Sequence, residues 1–122
     1  MTTALHWHTQ YARGGMIELF DVDLSTITTT GVYVIYRPGS LNSSPTTIRV
    51  GQGNVSDRLA VHRKNLTIRS QLQRGPVLVA FAAVSPVLID GVERYLGDYL
   101  RPLIGEAFPN AKPVPVNLPF AA

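Results

Sequence analysis

GVYVIYRPGSLNSSPTTIRVGQGNVSDRLAVHRKN, residues 31–65, is the stretch whose reading decides the fold. It opens with two apolar runs, residues 32–36 and 46–50, rich in β-branched and aromatic side chains. That composition predicts two strands joined as a hairpin. The connection, residues 37–45, holds Pro38, Gly39 and Pro45 and is long enough to move and to touch a ligand. Gly51 and Gly53 are expected to break the second strand. Asn54 or Ser56 then caps a helix reaching about residue 65, with Asp57 in its first turn against the positive end of the helix dipole. Val55 and Leu59 form its buried stripe. Arg58 and His62, one turn apart, stand beside that stripe and face the sheet edge.

Working outward, residues 16–22 read as a short strand and residues 23–30 as a Ser/Thr-rich connection. Residues 66–75 form a second connection, with room for a helical turn. PVLVAFAAV, residues 76–84, is the most apolar run and reads as a central strand buried on both faces. Asp90 is expected to cap the next helix, with Glu93 three residues on. Val92, Leu96, Tyr99 and Leu103 follow at helical spacing as its core face, and Pro102 ends it near Arg101. A proline-rich tail, about residues 108–122, is expected to lie extended over the domain. Residues 1–15 read as a polar amino-terminal extension in which His6 and His8 would share a face of a strand. Without a third ligand nearby they read as surface histidines rather than half a metal site. The whole, residues 1–122, reads as a single α+β domain.

The chain has 122 residues, 45% apolar and 16% charged, values that do not point to disorder and suit one domain with one core. It has no cysteine, so disulfides and thiolate zinc sites are excluded. No run is apolar enough to span a membrane and no secretory signal is visible, so no membrane partner is expected. The net charge of +3 is unevenly spread. Residues 31–75 hold seven bases (Arg37, Arg49, Arg58, Arg63, Lys64, Arg69 and Arg74) against Asp57 alone, while the two flanks are mildly acidic. A basic middle between acidic ends suggests one positive face that would suit a polyanion, the alternative being a solvated basic surface.

Four residues could act together. Tyr33 offers a phenol, Arg58 and His62 share a helical face, and Glu93 is an acid near the start of the later helix. Such a group suits phosphodiester cleavage: Arg58 holding the phosphate, Tyr33 or His62 taking a proton from water, Glu93 binding Mg²⁺. Singly, each also has a structural reading, as a strand aromatic, a solvated arginine, a boundary histidine and part of a capping box. Spacing alone does not join them.

The order of these residues resembles the GIY-YIG nuclease domain. Gly31–Val32–Tyr33 stands for the first motif and Arg49–Val50–Gly51 for the second. Arg58 and His62 follow on the next helix and Glu93 on the later one. The resemblance covers about residues 31–105. It implies a small central three-stranded antiparallel sheet flanked by helices, and one-step hydrolysis of DNA, rather than RNA, with a single Mg²⁺ or Mn²⁺. Tyr33 would activate water with His62, Arg58 would hold the phosphate, and Glu93 would bind the metal. Arg49, Arg37, Arg63 and Lys64 would contact the nucleic acid. The expected setting is cytoplasmic. Arg49 stands where the family has tyrosine, and Gly105 where it tends to carry asparagine; Asn110 or Asn117 could fold back to replace it. The rival expectations are a catalytically inactive nucleic-acid-binding module of the same fold, and a protein-interaction domain that meets an acidic partner.

Overall fold

The computed structural model describes residues 2–105 and 108–120, so residues 1, 106, 107 and the last two of the tail lie outside it. The architecture is α+β: three antiparallel strands in the order β2-β1-β3, with β1 Thr30–Arg37, β2 Thr46–Asn54 and β3 Leu78–Ala83. Three α-helices flank the sheet, α1 Val55–Arg63, α2 Leu66–Ser70 and α3 Ile89–Leu100. The expected hairpin is present, but β1 takes the centre, not the strand within residues 76–84. Residues 31–36 of β1 are all buried, as a strand covered on both faces and paired on both edges must be. β3 is buried on both faces too, and its outer edge is closed by backbone bonds from His8 to Phe81 and between Ile17, Leu19 and the Val77–Val79 region.

Those bonds explain why residues 16–22 are not a strand. They make isolated bridges against β3 and then turn away. A short 3-10 turn follows at Leu24–Thr26, started by the Asp23 carboxylate, which accepts from Ser25 N. The amino-terminal stretch is no loose extension. Asn117 Oδ1 accepts from Leu5 N at 2.6 Å, its Nδ2 donates to Leu5 O at 3.0 Å, and Trp7 Nε1 donates to Asn117 O at 2.9 Å. The tail therefore lies extended over the sheet, as expected, and carries the first residues with it. His6 and His8 do share a side, with ring centroids 5.0 Å apart, and both are exposed.

Two apolar layers result. Tyr33, Ile35, Ile48 and Val79 of the sheet pack with Val55 and Leu59 of α1 and Ile68 of α2. On the other face Val32, Val34, Val50 and Ala80 pack with Val92 and Leu96 of α3 and Val116 of the tail. The register decides which β2 side chain joins which layer. Ile35 pairs with Arg49 but Tyr36 pairs with Thr47, so Ile48 is the extra residue of a β-bulge. The bulge reverses the alternation, turning Arg49 and Gly51 to the Tyr33 face and Val50 and Gln52 to the α3 face.

Three expectations fail here. β2 runs on through Gly51 and Gly53, because Gly53 takes φ 123° and still pairs with Gly31. Asp90 does not cap α3; the helix starts after Leu88, without a side-chain cap, and the Asp90 carboxylate is engaged elsewhere. Tyr99 and Leu103 leave the core face. Tyr99 stacks on Tyr95 at the surface, and Leu103 lies past the left-handed turn at Arg101 (φ 49°), where its N–H donates to Thr47 O on the outer edge of β2. Residues 66–75 form α2, capped by Asn65, and a 3-10 turn at Gln71–Arg74.

Candidate active site

The outer edge of β2 is covered by Leu103 and Ile104 only as far as Ile48. Beyond the bulge it opens into a cleft of about 310 Å³, bounded by β2, Arg58 of α1, Glu93 of α3, and Phe108 and Pro109 of the tail. Tyr33 forms its floor yet exposes none of its surface to water. The ring can lie there because its cross-strand partner is Gly51: a Cβ at that position would overlap the phenol oxygen and Cζ.

Behind the floor, Tyr33 Oη is 2.6 Å from His62 Nε2. The tautomer decides whether the phenol donates to a bare nitrogen or the N–H donates to the oxygen. Helix α1 positions the ring. Asn54 Oδ1 accepts from Asp57 N at 3.0 Å to start the helix, and Val55, Leu59 and His62 form the face that turns inward. His62 thus belongs to the buried stripe rather than standing beside it, and it reaches the cleft only through the phenol.

The charges around this pair are lopsided. Burial, then the Arg49 and Arg58 cations, push the His62 pKa down to about 4, so the ring is neutral at neutral pH. Burial raises the Tyr33 phenol above its ordinary 10, while Arg58, and more weakly Arg49, oppose that rise. Arg58 stands beside the phenol, and its stem passes over Gly53, 3.6 Å from where a Cβ would be. Arg49 is half-buried, and its Nε is enclosed without a hydrogen-bond partner.

Glu93 closes the other side. Burial raises its pKa and the Gln52 hydrogen bond opposes this, while Asp90 raises it further. Gln52 Nε2 donates to both Glu93 Oε1 and Asp90 Oδ1, at 2.7 Å each. Gln52 and the Asp90 carboxylate are the site residues that the sequence did not single out. Gln52 could be found only by letting β2 continue past Gly51, and Asp90 was assigned to a cap. Among the described residues no three His, Cys, Asp or Glu side chains gather as a ready ligand cage. One carboxylate in a cleft with a second one turn away does fit a Mg²⁺ that keeps most of its waters.

The structure brings Tyr33, Arg49, Arg58, His62 and Glu93 together. The other basic residues do not converge on them. Arg37 Nε donates to Gln71 Oε1 at 3.1 Å near the opposite end of β1. Arg63 ties down the backbone, donating to Leu19 O at 2.7 Å and to Val22 O. Lys64 is exposed at the end of α1. Asn117 is committed to Leu5, so it does not stand in at the position of Gly105, and Asn110 is exposed. Neither a protein-family model, nor a curated protein, nor a solved structure matches this chain. Among the described residues no helix is long and apolar enough to cross a membrane.

Proposed function

We propose that the chain is a metal-dependent endonuclease of GIY-YIG type acting on DNA. One observation carries this reading: residues from β1, β2, α1 and α3, far apart in sequence, bring a phenol, two guanidiniums and one carboxylate to one cleft, with the imidazole bonded to the phenol behind its floor. A phosphodiester entering the cleft meets Arg58, whose planar fork suits its non-bridging oxygens. Charge pairing with the phosphate draws the guanidinium away from the phenol and opens the floor to water. Tyr33 then orients that water, and His62 holds the phenol by its hydrogen bond. Neutral and buried, His62 works by position and by sharing the phenol proton rather than as a free base. Glu93, with Asp90 behind it, would hold Mg²⁺ or Mn²⁺, and the chemistry that ion supplies is charge stabilisation at the leaving oxygen. Gln52 keeps the two carboxylates together and oriented.

The test is nicking of supercoiled plasmid with Mg²⁺ or Mn²⁺, beside branched and single-stranded DNA and a Glu93→Ala control. Metal-dependent cleavage that the control lacks supports the nuclease. A second reading, a binding module of the same fold without catalysis, is favoured by Arg49, since an arginine cannot serve as a base at neutral pH. Salt-sensitive DNA binding with no cleavage of any substrate would select it.

A further inference from the structure

Arg49 does more than stand where a tyrosine is absent. It and Arg58 enter the same cleft, from a strand and from the following helix. Among the described residues the ion pairs are Arg13–Asp21 and Arg94–Asp98, so neither cleft arginine forms a direct ion pair, although both help to hold the Glu93 pKa down from within the cleft. Glu93 faces them but gives an oxygen to Gln52 instead. Arg49 Nε is enclosed with no hydrogen-bond partner, so the side chain is not tied to a protein acceptor through that nitrogen. His62, neutral behind the floor, adds no third cation.

We infer that Arg49 and Arg58 form a two-guanidinium clamp for a phosphate monoester dianion, so that the cleft takes a terminal phosphate in preference to an internal phosphodiester. The warrant is charge count and geometry. A diester carries one negative charge and satisfies one guanidinium. A monoester above its second pKa, about 6, carries nearly two and offers three terminal oxygens to two forks. Phe108 and Pro109 give the cleft an apolar wall, against which the ester group would lie.

The clamp stands on the two arginines; its consequence rests on the nuclease reading. Hydrolysis adds water across one P–O bond, releasing a hydroxyl and converting the diester into a monoester. The product is then the better ligand, and the cleaved end is held in the cleft after the reaction.

The decisive experiment titrates the full chain in EDTA at pH 8 with methyl phosphate and with dimethyl phosphate, followed by ³¹P and amide NMR. We expect methyl phosphate to bind at least about tenfold more tightly, corresponding to about 1.4 kcal/mol, with amide shifts in residues 49–58. Arg49→Met should abolish that preference while Arg49→Lys restores part of it. Arg13→Gln, outside the cleft, should leave it unchanged. If Arg49→Met fails to fold, Arg58→Met serves in its place. Equal binding of the two phosphates, or a folded Arg49→Met that still distinguishes them, overturns the clamp. A chain that selects methyl phosphate but cleaves no DNA keeps the clamp and loses the nuclease. A chain that cleaves DNA but does not select it keeps the nuclease and loses the clamp.

Discussion

Gly51→Ala tests the packing on which the site depends. An ideal Cβ at Gly51 would overlap Oη and Cζ of Tyr33 and lie 2.9 Å from Cε1. The ring is packed on every side but the cleft. It is wholly buried in the layer between the sheet and α1, and Oη is tied to His62 at 2.6 Å. Forcing a methyl into such a core costs about 1–3 kcal/mol. Displacing the phenol also strands a buried hydrogen-bonding group, worth about 1–3 kcal/mol more. A total near 3 kcal/mol is expected, which for a domain of this size lowers Tm by roughly 12 °C. The check is a double-mutant cycle by urea unfolding, with Tyr33→Leu as the second change. Leucine lacks all three of the atoms that the new Cβ would meet. In that background Gly51→Ala should cost less than about 1 kcal/mol, giving a coupling of roughly 2 kcal/mol between neighbours. Costs that add to within about 0.5 kcal/mol would refute the claim that glycine is there to admit the phenol.

Two further outcomes follow from the buried charges. His62 titrates near 4 in the folded chain against an ordinary 6.5, so between those values the unfolded chain binds the extra proton. Stability is therefore complete above about pH 6.5 and falls as the pH drops toward 4, by at most roughly 3 kcal/mol; His62→Gln should remove that part of the slope, and unfolding curves with the same pH dependence in both proteins would contradict it. Gln52→Leu takes away the donor that holds the Glu93 pKa down and leaves two carboxylates facing each other, so Glu93 should titrate at higher pH than in the parent, read by carboxyl ¹³C NMR; an unchanged or lowered value would show that Gln52 is only a bystander.

The elements that could be read from the sequence were those in which local pattern and tertiary demand agree. Residues 32–36 are β-branched and aromatic because a central strand must be apolar on both faces, and Val55 and Leu59 repeat at helical spacing because α1 turns one side to the sheet. What could not be read was set by partners distant in the chain. PVLVAFAAV looks like a central strand because both its faces are covered, yet its outer edge meets only bridges from residues 8 and 17–19, which no local signal announces. Asp90 has the spacing of a cap, but Gln52, 38 residues earlier, offers it a donor in the cleft instead. The most consequential feature left no mark at all. An unbroken alternation along β2 would keep Arg49 with Thr47 on the α3 face, away from Tyr33. One extra residue, Ile48, turns Arg49 toward the phenol and Gln52 toward Glu93 in a single step. The bulge thus assembles both halves of the cleft, and the choice of arginine at position 49 acquires its meaning only from that register.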